Sequence, residues 1–116
     1  MRQTPSIAAK EGDPIMRMLL TVEFPLEPFN SLVRKGTVGM VIGNILEAIK
    51  PESAYFTEQD GKRGGIFAVN VNSPSDVPAL AEPFFLNFNA SCKLRIAMNL
   101  EDLQNAGLDA LGKKWG

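Results

Sequence analysis

The chain has 116 residues and a formal net charge of −1, with 12 lysine and arginine residues against 13 aspartate and glutamate residues. This length suits one domain, and the near-neutral charge provides no strong field, so we expect neither nucleic acid nor a membrane as a partner. The single cysteine cannot form an internal disulfide, and the absence of histidine removes the commonest general base and metal ligand. We therefore expect no metal site and no cofactor.

Residues 1–15 differ from the rest of the chain, because they are polar, contain Pro5, Gly12 and Pro14, and show no hydrophobic period. We interpret them as an N-terminal arm or tail. They lack the apolar core of a secretory signal, and no apolar run in the chain approaches the roughly 20 residues that span a bilayer. We therefore expect a cytoplasmic protein with a single folded domain over residues 16–116.

The first predicted strand covers residues 16–24, in which every second side chain is apolar. Apolar residues at three- and four-residue spacing then predict one long helix over residues 28–49. Gly36, Gly39 and Gly43 lie inside it, although each glycine costs about 1 kcal/mol relative to alanine there. We interpret these small residues as a close contact with the sheet, and the alternative is a break near Gly36 that divides the segment.

A hairpin is predicted next, with strands over residues 54–58 and 66–72. The connection contains Asp60-Gly61, which is typical of a tight turn between antiparallel strands.

The remaining elements are a helix, a strand and a last helix. Ser73 is suited to cap a helix that runs to about Phe88, and Pro83 inside it is expected to kink or divide it. Residues 93–98 form the fourth predicted strand. Residues 101–115 form the last predicted helix, whose acidic start and basic end suit the helix dipole.

This order of elements predicts an α+β, ferredoxin-like βαββαβ fold with an additional C-terminal helix. Right-handed crossovers place the strands in the order 4-1-3-2 in a four-stranded antiparallel sheet, with both long helices on one face. The opposite face is mixed in polarity, too apolar for full solvation and too polar for burial in a monomer. We therefore expect two copies of the chain to enclose this face. Its predicted members are Leu19, Thr21, Glu23, Tyr55, Thr57, Ile66, Ala68, Asn70, Asn72, Lys93, Arg95 and Ala97.

Residues 16–100 resemble the dimeric α/β-barrel superfamily in architecture. Residues 80–86, with the sequence LAEPFFL, and Glu101-Asp102-Leu103 are similar to segments of small bacterial proteins of that kind. The resemblance implies a homodimer in which two sheets pack face to face around a shared barrel, often with a ligand cleft between them. It carries no catalytic motif, and a fold alone does not specify a function.

Five residues are candidates for a ligand site on the mixed face. Glu23 is expected to lie across from Lys93 or Arg95 on the fourth strand. This group either anchors a carboxylate or polar ligand, which the arginine would hold, or is a structural ion pair. Asn70 lies in mid-strand, where its amide suits a polar ligand. Tyr55 either donates its phenol to a ligand or is a half-buried strand aromatic.

Other polar and aromatic residues have simpler explanations. Asn72 and Asn89 are expected at a turn and at a helix end. The phenylalanines at 84, 85 and 88 are expected in the core, and Cys92 as a small, partly buried residue that no histidine activates.

Three functions remain open from the sequence. The first is a dimeric barrel that binds a small molecule in a cleft on the sheet face. The second is a cofactor-free oxygenase, isomerase or lyase in which Tyr55, Asn70 and Arg95 hold the substrate and Glu23 serves as the base. The third is an assembly module without a pocket.

Overall fold

The structure, a computed structural model, describes residues 16–116, and the predicted arm at residues 1–15 lies outside the described residues. A strand opens the described chain and two short helices close it. The strands are β1 (Met16–Phe24), β2 (Ser53–Gln59), β3 (Lys62–Val71) and β4 (Ser91–Ile96). The helices are α1 (Phe29–Lys35), α2 (Val38–Ile49), α3 (Val77–Phe88), α4 (Leu100–Asn105) and α5 (Leu108–Trp115), and a 3-10 turn (Pro74–Asp76) precedes α3.

The four strands form one antiparallel sheet in the order β2-β3-β1-β4, which is 4-1-3-2 when it is read from the β4 edge. The α+β class and the four-stranded antiparallel sheet are therefore confirmed, and the arrangement is compatible with a ferredoxin-like fold. β1 lies in the middle of the sheet, so each side chain of β1 has neighbours on both β3 and β4.

The prediction of one continuous helix over residues 28–49 is wrong, and the alternative of a break near Gly36 is confirmed. This residue has a φ of +74°, a left-handed conformation that ends α1 and that glycine adopts without a steric penalty. Gly39 and Gly43 lie inside α2, but a Cβ atom on either would meet no described atom within 4 Å. Close packing against the sheet therefore does not explain these two glycines.

The predicted hairpin is present and its turn is Asp60-Gly61. Both residues have positive φ, 54° and 80°, as a two-residue turn of type I′ requires. Both strands are longer than predicted. β2 extends by one residue at each end, and β3 begins at Lys62, directly after the turn.

The C-terminal half differs from the prediction at three places. α3 is not divided at Pro83, since one helix runs through it from Val77 to Phe88. β4 begins two residues earlier than predicted, at Ser91. The last helix is two short helices, because Gly107 between them has a left-handed φ of +74°.

Aromatic rings dominate the core between one sheet face and helices α1 to α3. Phe24 lies at its centre, with its ring centroid 5.1 Å from that of Phe29 and 5.0 Å from that of Phe88. Phe67 of β3 stacks on Phe84 at 5.4 Å. The core positions predicted for Phe84 and Phe88 are confirmed, whereas Phe85 of the same helix is 39% exposed.

The opposite face of the sheet, which we call the open face, carries alternate residues of all four strands. Its side chains at the centre of the sheet are half-buried, and those at Tyr55, Asn70, Lys93 and Arg95 are exposed. The strand register confirms the predicted division of residues between the two faces along the paired strands. Met98, the last residue of the fourth predicted strand, lies beyond β4 and is exposed.

Candidate functional site

The antiparallel register brings the polar and apolar side chains of the open face into rows across the sheet. In one row Thr21 of β1 lies between Ile66 and Lys93, and Tyr55 is the next residue beyond Ile66. In the adjacent row Leu19 lies between Ala68 and Arg95. The open face is therefore an apolar band with two cationic side chains along its β4 edge.

The predicted contact between Glu23 and Lys93 or Arg95 is wrong. Because β4 begins earlier than predicted, Ser91 lies opposite Glu23, whereas Lys93 and Arg95 lie opposite Thr21 and Leu19. The Glu23 carboxylate instead accepts a hydrogen bond from Lys62 Nζ at 3.1 Å. Lys62 begins the strand on the other side of β1, so the pair ties β3 to β1.

Lys93 and Arg95 have no carboxylate within 4.0 Å in the described part of the chain. They lie two residues apart on β4, so both project from the same face of the sheet. Two cations on an exposed face form an anion-attracting edge, and the guanidinium of Arg95 is suited to a bidentate contact with a carboxylate or phosphate.

Tyr55 lies on β2, the edge strand at the other end of its row, and is 68% exposed. Among residues 16–116 its phenol makes no hydrogen bond. It is therefore placed as an exposed aromatic with a free polar tip, on the opposite edge of the open face from Lys93.

Asn70 belongs to a polar cluster that sequence reasoning missed. Its amide donates to Glu52 Oε2 at 3.0 Å, and the same carboxylate accepts from Arg17 Nε at 3.0 Å. The hydrogen bond from Arg17, followed by that from Asn70, lowers the pKa of Glu52. The hydrogen bond to Glu52 in turn raises the pKa of Arg17. Both side chains therefore stay charged at neutral pH.

A polar cavity of about 300 Å³ adjoins this cluster, lined by Arg17, Glu52, Asn70, Asn99 and Asp102. Asn99 and Asp102 cap the start of α4 reciprocally, since each side chain accepts a hydrogen bond from the other residue's amide, at 2.8 Å and 3.0 Å. The cavity therefore presents donors and acceptors of fixed orientation at one end of the open face.

A signal for Arg17 was present in the sequence. It lies two residues before Leu19, so strand alternation places it on the open face. Glu52 had no such signal, because it precedes β2, where strand alternation does not apply. Its backbone amide donates to the Ala68 carbonyl at 2.8 Å, which holds it beside β3.

Cys92 lies on the helix side of β4, and no group of three potential metal ligands occurs among residues 16–116. Burial, with a smaller contribution from the charge of Glu82, raises the pKa of the Cys92 thiol to about 11. The thiol is therefore protonated at neutral pH and is a poor nucleophile.

In the part of the chain that the structure describes, no helix has the length and apolar character needed to cross a membrane. No protein-family model matches this chain, and no curated protein is significantly similar to it.

Proposed function

We propose that this chain works as a homodimer that binds a small organic anion in a cleft between the open faces of two copies. The observation that carries the proposal is the pair Lys93 and Arg95, which have no described carboxylate partner and border an exposed apolar band. An enclosed cleft would use both the charge of these cations and the apolar surface of Leu19 and Ile66.

The C-terminal arm, which we define as residues 98–116, supports a second copy as the cover. Every residue of this arm is exposed, although α4 and α5 place leucines at helical spacing. An exposed apolar stripe on a helix is typical of an interaction site. The apolar residues are Met98, Leu100, Leu103, Leu108, Leu111 and Trp115.

Apolar complementarity favours a second copy of this chain over an unrelated partner. The arm carries exposed leucines and Trp115, and the open face carries Leu19, Ile66 and Ala68 at its centre. Lys93 and Arg95 at the β4 edge then remain available to the ligand. A two-fold arrangement lets the arm of each copy meet the open face of the other, so that both contacts form twice.

Within such a cleft, Arg95 and Lys93 would bind the anionic group. Tyr55 and Asn70 lie on other strands of the same face and would line the rest of the cleft, since Tyr55 is three strands away from Lys93. Glu23, paired with Lys62, would fix the end of the cleft. We propose binding without catalysis, because the one carboxylate predicted as a base is engaged in that ion pair. The other open-face carboxylate, Glu52, is engaged by Arg17 and Asn70.

The dimer is tested by the mass of the purified full-length chain in solution, measured by light scattering. We expect a dimer, and we expect Ile66→Glu to yield a folded monomer because it places a charge in the centre of the open face. Ala79→Glu, on the exposed side of α3, is the matched control and should remain a dimer. A full-length chain that is monomeric at high concentration would contradict the proposal.

The ligand site is tested by calorimetric titration with citrate as the probe. Binding should be lost in the double variant Lys93→Gln and Arg95→Gln, and retained in Lys35→Gln, which removes one exposed charge on α1. Equal binding by both variants would show that the β4 cations do not form the site.

A further inference from the structure

A second cavity lies on the opposite side of the sheet, between helices α1 and α2 and the ends of β1, β2 and β3. Its volume is about 480 Å³, within the range of small-molecule sites. It is lined mainly by apolar groups, with one cation among them: Phe24, Phe29, Gly39, Ile42, Phe56 and Arg63.

Gly39 forms an open part of the cavity wall. Gly39 lies on α2 at the cavity, and a Cβ atom placed there would meet nothing within 4 Å. Phe56 of the edge strand β2 forms another wall and remains 51% exposed, although its ring packs edge-on against Phe67 at 5.6 Å. A large aromatic side chain half-exposed beside an open groove has apolar surface available for a ligand.

Arg63 is held in a fixed orientation at this cavity. Its guanidinium lies 4.3 Å from the centre of the Phe29 ring and donates from Nη1 to Asn30 Oδ1 at 2.8 Å. Stacking on Phe29 covers one face of the guanidinium and leaves its in-plane N–H groups able to donate hydrogen bonds. Asn30 accepts a hydrogen bond from only one of these groups.

No carboxylate neutralises Arg63 in the described part of the chain. The acid directly across the strand ladder is Glu58, but its carboxylate accepts a hydrogen bond from the Gly61 amide at 2.9 Å. No ion pair within 4.0 Å joins Arg63 to any acid among residues 16–116. A pre-oriented guanidinium without a carboxylate partner, beside an apolar groove, matches an amphipathic anion.

We propose that this cavity binds a monocarboxylic acid with a short aliphatic or aromatic tail. The carboxylate would accept hydrogen bonds from Arg63, and the tail would lie against Phe56, Phe29 and Ile42. Because the two cavities lie on opposite sides of the sheet, this site does not depend on the dimer or on the cations of β4.

The charge requirement is tested by calorimetric titration of the full-length chain with phenylacetate and with phenylacetamide, its neutral analogue of similar shape. We expect phenylacetate to bind about tenfold more tightly than phenylacetamide, because only its carboxylate forms charged hydrogen bonds with Arg63. Arg63→Gln should remove this preference, and Arg63→Lys should keep part of it because the charge remains. Equal affinities of the unaltered chain for the two compounds would overturn the proposal.

The location is tested by filling the space above Gly39. Gly39→Leu should abolish the binding of both compounds, because the new side chain occupies the groove. Gly43→Leu is the matched control, since Gly43 lies one turn away on the same helix, also meets no atom within 4 Å, and does not line the cavity. Unchanged binding by Gly39→Leu, with circular dichroism confirming its fold, would place any bound ligand elsewhere. The double variant at Lys93 and Arg95 should bind phenylacetate normally, which separates this site from the cleft proposed on the open face.

Discussion

Glu52 has two hydrogen-bond donors on the open face, and its ionisation depends on both of them. Arg17 is the principal cause of its lowered pKa, and Asn70 adds to it. Replacing Arg17 with methionine should therefore raise the Glu52 pKa towards the ordinary value of 4.5. Carboxyl carbon chemical shifts in an NMR titration report this directly. Arg34→Met, which removes the partner of Glu27 on α1, is the control and should leave Glu52 unchanged.

The sign of the linkage follows from the direction of that shift. A carboxylate whose pKa is lower in the folded state stabilises the fold above its unfolded pKa, and this stabilisation is lost as the pH falls through the folded pKa. The free energy of unfolding of Arg17→Met should therefore be lower than that of the unaltered chain at neutral pH. The difference between the two proteins should become smaller in acid. A difference in unfolding free energy that does not change between these conditions would contradict the assignment.

Cys92 provides a second test at the scale of one residue. Burial raises the pKa of its thiol to about 11 from a reference value of 9.0. The rate of alkylation by iodoacetamide should therefore be low at pH 8 and should increase with pH, with a midpoint near pH 11. The denatured chain should show a midpoint near 9.0 instead. Because the folded state retains the proton, stability should fall as the pH rises above that unfolded value. A native midpoint close to the denatured one would place the thiol in solvent.

Among single residues, the sequence predicted the face of a side chain well and its partner poorly. Strand alternation correctly assigned Glu23, Asn70, Lys93 and Arg95 to one face. The predicted partner of Glu23 was wrong because the partner depends on where β4 begins. Hydrophobic alternation shows which face a residue occupies, but it does not show where a strand begins relative to its neighbour. A shift of two residues keeps every side chain on its face and changes every neighbour.

At the scale of elements, the pattern identified each strand, gave the helix break near Gly36 only as an alternative, and missed the break at Gly107. The apolar stripe continues across Gly36 because α1 and α2 both cover the sheet, so the spacing alone predicts one helix. Glycine was the available signal, but Gly39 and Gly43 show that a glycine in the same stretch can also be helical. Only the φ angle separates these cases, and backbone conformation is not encoded in periodicity.

This difference predicts opposite effects for two similar substitutions. Gly36→Ala should destabilise the fold by about 1–2 kcal/mol, because alanine is strained in the left-handed conformation. Gly43→Ala should stabilise it by about 1 kcal/mol, because that residue is helical and a Cβ atom there meets open space. Urea denaturation of both variants measures the two changes. Equal effects would mean that α1 and α2 form one continuous helix in solution.

For the whole molecule, the sequence was sufficient for the fold class and strand order but not for the surfaces where other molecules bind. The core follows from alternation and from helical spacing, since Phe24, Phe67, Phe84 and Phe88 are all almost fully buried. The cavity at Arg63 had no such signal. It forms because Phe29 on α1, Gly39 on α2 and Phe56 on β2 come from different elements, and only their assembly leaves a gap with Arg63 beside it.

The proposed dimer makes a prediction for Trp115, the only tryptophan of the chain, which is 75% exposed on the C-terminal arm. If the arm packs on a second copy, its indole emission should shift to shorter wavelength as the protein concentration rises, because the ring leaves water. Leu111→Asp should hold the emission at the long-wavelength position at every concentration, since a charge on the same face of α5 opposes burial of that face. Ala79→Glu should follow the unaltered chain. Light scattering on the same samples supplies the decisive comparison, because a dimer that forms without any change in tryptophan emission would place the interface away from the arm.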